Sequence, residues 1–398
     1  MDQMDSRSTF SSLVTRNHVE HALIQQDEAH NIIPMALATA VHLGATPVQI
    51  QSMYDNEERP LRPWSMSPGR ITDAEGRQEH LGDARFQRAY MDYFSMLNGH
   101  LRGNSRALAL SQLLSEPKPL IYGLFSGYGQ PMIVLSDGFQ LQNPILILEG
   151  LVFAAVDFRQ DLYDILCHPQ VTTGSESLLR PDILLGRIAY DGRFSGLMRS
   201  GPGLNQVSLV LSNSPARAAI IDYVSQLDTR DIPALVSQLS YLAVQLLCAT
   251  HKRNKPAFDY YLSFPLSAVQ ALRVMLSVSD DEHYGMILVR GTWLLIVLSY
   301  ITQLRPCIDD SLILNFAVRE EDCNWQGIVG NFSSDGNAIR GTHSNAEFLR
   351  ALWSLSELGK VAGHDEQLYI RAARKLERQW ERWTGFGNVR EDSLNIRL

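Results

Sequence analysis

The sequence predicts an all-α fold, a large multi-helix domain built as a helical bundle. Apolar residues recur at helical spacing along most of the chain, for example from residue 234 to residue 248. Helix-start signals precede such segments, as Asp231 and Pro233 do here. No stretch alternates polar and apolar residues for long enough to build a sheet. Residues 1–398 are therefore expected to form a single helical domain, or two intimate halves that meet near residues 204–229.

The same signals place the remaining helices in order along the chain. Gly44 ends the first predicted helix, and Thr46 caps the next one. The predicted helices span residues 36–42, 47–54, 84–97, 144–156, 161–167, 216–226, 234–248, 266–276, 286–304, 346–358 and 365–380. Three of the segments between them, 56–79, 172–204 and 324–341, are predicted to be loops. The second loop is rich in Ser, Gly and Arg, and is either a lid over a pocket or a surface excursion.

Composition and charge limit the classes of function. A net charge of -8, with only short basic segments at 251–255 and 371–375, argues against a nucleic-acid partner. The 4 cysteines show no metal spacing and predict reduced thiols. The N-terminus lacks the features of a signal peptide, and the apolar run 293–301 is about half the length that crosses a bilayer. These features predict a cytoplasmic protein without a membrane span, in which that run is a buried helix.

Several segments resemble one protein family. Residues 29–37 read Ala-His-Asn-Ile-Ile-Pro-Met-Ala-Leu, 43–47 read Leu-Gly-Ala-Thr-Pro, and 124–135 read Leu-Phe-Ser-Gly-Tyr-Gly-Gln-Pro-Met-Ile-Val-Leu. They resemble the questin oxidase-like proteins, fungal enzymes of secondary metabolism that oxidise aromatic polyketides. Weaker matches at 149–157, 258–264 and 344–352 extend the resemblance over nearly the whole chain. The resemblance implies a bundle with a central pocket and a small hydrophobic substrate, with a homodimer left open.

The chain departs from the family pattern mainly where members have histidines. The first segment usually reads His-Asn-His-x-x-His-His-x-Leu, and the family resemblance implies a non-haem iron held by imidazoles and a modified lysine. In this chain the histidines are replaced by other residues, namely Ile32, Met35, Gln130, Val134, Asp157, Phe264 and Ser344. Glu347 stands in place of the lysine. Ile, Val and Phe have no lone pair to donate. We therefore expect no bound metal and no cofactor.

Two titratable residues of the matching segments are the predicted catalytic residues. His30 begins the first motif and is a candidate general acid or base; the alternative is a helix-end histidine bound to a backbone carbonyl. Asp157 ends a strongly apolar helix, where an ionised carboxylate needs a partner; the alternative is an ion pair with Arg159 or another arginine. Glu149 lies on the same helical face as Asp157 and is interpreted as a buried salt-bridge residue; the alternative is an acid–base pair of the two carboxyl groups.

The predicted substrate-binding residues come from the same segments. They are aromatic or apolar side chains that suit a flat substrate, together with a few polar groups: Met35, Tyr128, Gln130, Val134, Tyr261, Phe264, His343 and Glu347. Aromatic stripes of this kind are also common in plain cores, and Glu347 is equally a solvent-facing helix start. If the hypothesis is right, His30, Gln130, Asp157 and Phe264 converge on one cavity.

Three classes of function remain open. The first is a metal-free, non-redox enzyme that carries out a cyclisation, an isomerisation or a pericyclic step on a polyketide or terpenoid intermediate, which requires shape and one or two hydrogen bonds. The alternative is an oxygenase of Baeyer–Villiger or ring-cleaving type that acts on an anthraquinone-like polyketide. The second alternative is a non-catalytic binding protein, because fold does not determine function.

Overall fold

The computed structural model describes residues 5–25, 29–174, 177–198, 201–203, 206–325, 328 and 345–385. Within these residues the chain forms α-helices and short 3₁₀ turns, and the only β-type pairings are isolated bridges such as His21 with Pro63. The all-α prediction is confirmed.

The helices of the first half are α1 (Ser6–Glu20), α2 (Ile33–His42), α3 (Pro47–Glu57), α4 (Ala74–Glu79), α5 (Gln87–His100), α6 (Ser105–Leu113), α7 (Gln130–Leu141), α8 (Pro144–Val156), α9 (Gln160–Leu166), α10 (Pro169–Thr173) and α11 (Pro181–Tyr190). Those of the second half are α12 (Gln206–Ser212), α13 (Ser214–Ser225), α14 (Ile232–Cys248), α15 (Phe264–Leu276), α16 (Glu282–Thr302), α17 (Ser311–Leu314), α18 (Ala346–Gly359) and α19 (Glu366–Gln379).

The chain separates into two compact units. The first contains Met1–Gln160, Val274–Tyr284 and Gln326–Trp353, and the second contains Asp161–Arg273, Gly285–Trp325 and Ser354–Leu398. The first division follows Gln160, upstream of the 204–229 segment in which the sequence places the meeting of two halves. A single 398-residue domain stays a prediction.

The core of the first unit is the hairpin of α7 and α8. Its turn is tight because Gln142 adopts a left-handed conformation (φ 52°) and Asn143 caps α8 by accepting from the backbone N–H groups of Ile145 and Leu146. The two helices approach closely at Gly150, where a Cβ atom would lie 2.9 Å from the backbone nitrogen of Leu135. Every residue of α8 from Leu146 to Val156 is buried, and this helix carries Asp157 at its C-terminal end.

The predicted helix starts are confirmed, and two predicted loops are partly wrong. Thr46 and Gln49 form a reciprocal capping box, and Asp231 accepts from the N–H of Ala234 at 2.9 Å. The predicted loop 56–79 contains α4, a short charged helix, and the predicted loop 172–204 contains α11. Neither helix has a long apolar periodic pattern. Most of the third predicted loop, 324–341, lies outside the described residues.

Helix α16 is longer than the apolar run that predicted it. With 21 residues it is the single described helix that is long and apolar enough to cross a membrane by length and composition, and 89% of its most apolar window is buried inside the structure. It is a buried helix, as the sequence predicts.

Candidate functional site

The two predicted catalytic residues form a close pair in the first unit. His30 Nε2 lies 2.9 Å from Asp157 Oδ2, and the two side chains are only 14% and 16% exposed. His30 stands shortly before α2 and bridges to Ile24, whereas Asp157 is the C-cap of α8. His30 and Asp157, which are far apart in the sequence, thus form one mostly buried polar pair. The ion-pair partner of Asp157 is His30, instead of the arginine that the sequence offered as an alternative.

The backbone around His30 is fixed by the side chain of Asn31. Its amide donates to Asn17 Oδ1 at 3.0 Å and to the carbonyl of Ala22 at 3.2 Å, while its own oxygen accepts from the N–H of Ile33 at 3.1 Å. Asn31 is 2% exposed. This network joins the end of α1 to the start of α2 and therefore determines where the imidazole lies.

One face of the pair packs against a glycine and a phenylalanine. The ring of Phe153 lies 5.1 Å from the imidazole of His30, centroid to centroid. Gly127 has a left-handed φ of +51°, and a Cβ atom there would lie 2.5 Å from His30 Cε1 and 3.2 Å from Asp157 Oδ2. The pair occupies the space that a side chain at position 127 would need.

A Gly127→Ala variant should therefore displace the pair. The new methyl group meets the tips of both side chains, and a left-handed alanine is strained by about 1–2 kcal/mol. We expect turnover to fall at least about tenfold, by analogy with the loss of a positioned acid or base. Gly44→Ala is the matched control, because Gly44 also has a left-handed φ (+75°) but no atom lies within 4 Å of its Cβ position. Similar melting temperatures with similar turnover in both variants would contradict the placement of the pair.

The charge on His30 is favoured by its partner. Burial by itself lowers the pKa of the His30 imidazole, but the adjacent Asp157 carboxylate more than offsets this effect, so that the pKa lies above its ordinary value. An imidazole that accepts a proton here becomes an imidazolium stabilised at 2.9 Å by a carboxylate. This arrangement suits a general base, since the carboxylate stabilises the charge that the imidazole gains.

Three predicted substrate-binding residues lie on α2 and α7, in the same unit as the pair. Gln130, the first residue of α7, donates from Nε2 to the thioether of Met35 at 3.9 Å, a weak contact for a primary amide. Val134 lies about one turn further along α7, and all three side chains are at most 5% exposed. Tyr128, also buried, has a left-handed φ of 55°, unusual for a residue other than glycine. Two apolar side chains and one amide of the matching segments are thus buried in the unit that contains the His30 pair.

The other predicted substrate-binding residues lie elsewhere or outside the description. Tyr261 and Phe264 belong to the second unit, where both pack edge-on against Tyr260 at 5.2 and 5.1 Å. His343 lies outside the described residues. The convergence of Phe264 with His30 stays a prediction.

Glu347 is buried in the first turn of α18, only 8% exposed, so the solvent-facing alternative is wrong. It faces Glu57: burial, and then the charge of Glu347, raise the pKa of Glu57 to about 7.

Glu149 has the salt-bridge geometry that the sequence favoured. Its Oε1 lies 3.1 Å from Nδ1 of His18, and its side chain is fully buried. Burial raises the pKa of Glu149, an effect that His18 partly opposes.

The structure contains a fully buried ion pair that was not predicted from the sequence. Arg350 Nη1 lies 2.8 Å from both carboxylate oxygens of Asp137, and the side chains are 1% and 0% exposed. The guanidinium also stacks over Trp353 at 4.4 Å, and His42 covers that indole from a centroid distance of 4.4 Å. The one available signal was an aspartate within the apolar α7. Its partner, 213 residues away in the sequence, could not be identified from that signal.

The donor set at the pair does not fit a non-haem iron. Such sites in oxygenases use two histidines and one carboxylate with open positions. Among the described residues of the motif positions, one imidazole and one carboxylate meet, while Met35, Gln130 and Val134 supply a thioether, an amide and an aliphatic group.

The described part of the chain has one group of potential metal ligands, Glu20, His21 and Glu58. Arg16 forms salt bridges with both carboxylates of this group, at 2.9 Å to Glu20 and 2.7 Å to Glu58.

The chain is similar to one protein family and to two monooxygenases of known name. The family model described as Questin oxidase-like matches residues 29–344. The Baeyer-Villiger monooxygenase dmxR6 of Cryptosporiopsis sp. is 27% identical over 159 residues, which cover 38% of this chain and 35% of the relative. The Baeyer-Villiger monooxygenase AacuH of Aspergillus aculeatus is 26% identical over 161 residues, 38% of this chain and 33% of the relative. The match thus spans about a third of the length of these curated relatives.

Proposed function

Because this chain belongs to the questin oxidase-like family, we propose that it is an oxygenase-type tailoring enzyme that acts on an aromatic polyketide. The two relatives whose names describe Baeyer–Villiger monooxygenases support this proposal. Both names favour the oxygenase alternative over the non-redox cyclase or isomerase that the sequence analysis placed first.

The observation that carries the mechanism is the 2.9 Å contact between His30 and Asp157. His30 takes a proton from a phenol, or from a carbon acid beside a carbonyl, and Asp157 stabilises the resulting imidazolium. The Gln130 amide, whose Nε2 contacts a thioether at 3.9 Å, is available to donate to a substrate oxygen. Met35, Val134 and Phe153 supply apolar surface for a flat ring system.

Proton removal is the step that prepares the substrate for oxygen. It raises the electron density of the aromatic system, which then reduces O₂ directly, so no residue has to hold a metal. When one oxygen atom enters the product, the other leaves as water, and the substrate or a nicotinamide reductant supplies the two electrons. The protein contributes position, charge stabilisation and a dry environment.

An oxygen electrode tests the proposal. Wild-type protein, supplied with hydroxylated anthraquinones or their reduced forms, with and without NADPH, should consume oxygen in proportion to product. Gly44→Ala should behave like the wild type, whereas His30→Ala should be nearly inactive. Product formation without oxygen consumption would overturn the oxygenase assignment.

A non-redox reaction is the second candidate. The observation in its favour is the replacement of ligand side chains by Met35, Gln130 and Val134 beside a single acid–base pair. Cyclisation or isomerisation needs such a base and an oriented substrate, and no electrons. Full turnover under argon, with a product isomeric to the substrate, is the outcome that selects it.

A further inference from the structure

Ser126, next to the candidate site, carries a buried hydroxyl without a visible purpose in folding. The residue is 2% exposed, and among the described residues none forms a hydrogen bond with its Oγ atom. A hydroxyl that leaves water without gaining a partner destabilises the folded state, so an unsatisfied one requires an explanation.

The backbone of Ser126 is fully engaged, which leaves the hydroxyl as its one unused group. Its N–H donates to the carbonyl of Gly123 at 3.3 Å, and its own carbonyl accepts from the N–H of Gly129 at 2.8 Å. These bonds join two 3₁₀ turns, residues 120–125 and 127–129, and fix the position of the residue before any ligand binds.

Ser126 directly precedes Gly127, the residue whose Cβ position meets the His30 pair. Its Cα lies about 3.8 Å from that of Gly127, as in any trans peptide. The Cβ position of Gly127 lies 2.5 Å from His30 Cε1 and 3.2 Å from Asp157 Oδ2. Helix α7 begins four residues after Ser126 and has no side-chain cap, so its N-terminal N–H groups carry a partial positive charge close to Ser126 in the chain. A protonated His30 adds a second positive charge, which offsets the carboxylate of Asp157.

We propose that Ser126 is a substrate-binding residue whose hydroxyl donates a hydrogen bond to a carbonyl or phenolate oxygen of the aromatic substrate. This inference rests on the proposed function, and it assigns a role to an atom that the fold does not use. His30 removes the proton, and Ser126 stabilises the charge that proton removal leaves on the substrate oxygen. The stability lost on burying the free hydroxyl is the cost of holding a donor ready for the ligand.

A Ser126→Ala variant separates binding from folding. Because the substitution removes an unsatisfied hydroxyl, the melting temperature of the variant should equal or exceed that of the wild type. Its affinity for alizarin, a dihydroxyanthraquinone that changes colour when it loses a phenolic proton, should fall by about tenfold, the value of one hydrogen bond to a charged group. The absorption shift of bound alizarin towards the phenolate should also require a higher pH.

Ser136→Ala is the matched control. Ser136 is fully buried on α7, but its hydroxyl already donates to the carbonyl of Ile133 at 2.8 Å. Its removal should leave alizarin affinity and the spectral shift unchanged and should not raise the melting temperature.

Three outcomes are decisive. Equal affinity and equal spectral shift in Ser126→Ala and the wild type would overturn the inference, and so would a wild-type protein that binds no alizarin up to its solubility. If Ser126→Ala weakens binding but the wild type consumes no oxygen with any polyketide tested, Ser126 keeps its role and the oxygenase proposal alone fails.

Discussion

Replacement of His30 by alanine should lower turnover by about 10²–10⁴-fold while the helical fold stays intact, the range typical for the loss of a positioned general base. Asp157→Asn should cost at least about tenfold, because the amide no longer stabilises the imidazolium at 2.9 Å. In the wild type kcat/KM should rise with pH as His30 loses its proton. The midpoint should lie above the ordinary histidine value, since Asp157 raises the pKa of His30 after the opposing effect of burial.

Glu149→Gln is the control for these two variants. Glu149 is also a buried carboxyl paired with a histidine, at 3.1 Å from His18. We expect this substitution mainly to lower stability and to leave the pH profile unchanged. The base assignment is wrong if His30→Ala keeps more than about a tenth of wild-type turnover, or if the pH-dependent rise persists without the imidazole.

Breaking the buried pair of Asp137 and Arg350 should have the largest effect on stability. Arg350→Met leaves a carboxylate that is 0% exposed without its guanidinium, and removal of one partner from a buried pair costs about 3–5 kcal/mol. Burial already raises the pKa of Asp137 to about 6, an effect that Arg350 opposes. The variant should therefore lose less stability at low pH, where the carboxyl is neutral in both the folded and the unfolded state.

Urea unfolding measures this effect, and two variants control for it. The double variant Asp137→Leu with Arg350→Met removes both charges and should recover much of the loss. Arg230→Met breaks a pair with Asp228, 2.6 Å in length, in which the arginine is exposed, and should change stability far less, because solvent screens such pairs. A small loss in Arg350→Met at neutral pH, similar to that of Arg230→Met, would show that the buried pair is not formed.

Local signals in the sequence account for much of the fold. Helix α14 was predictable because Asp231 and Pro233 mark its start and its apolar residues keep one spacing. Helix α7 was not predicted, because its residues from Gln130 to Gly138 are buried on all sides and therefore show no polar face. Helix α1 was missed because its buried face includes the polar residues Thr9 and Asn17.

Only part of the candidate site could be predicted from the sequence. The family frame pointed to His30 and Asp157 as individual residues, but their pairing depends on the placement of α8 against the start of α2, which no local pattern encodes. The role of Gly127 depends on a left-handed φ of +51° and on the atoms that occupy the space beside it. Ser126 could not be predicted either, because the sequence does not show whether a serine hydroxyl has a hydrogen-bond partner in the folded protein.

The most direct test of the account is a single-turnover reaction of chelator-treated enzyme with a hydroxylated anthraquinone substrate under oxygen gas labelled with the heavy isotope. We expect one labelled oxygen atom in the product, formed at the same rate before and after removal of metal ions, and formed about 10²–10⁴-fold more slowly by the His30→Ala variant. An unlabelled product formed equally well under argon, or activity that returns only when iron is added, would contradict it.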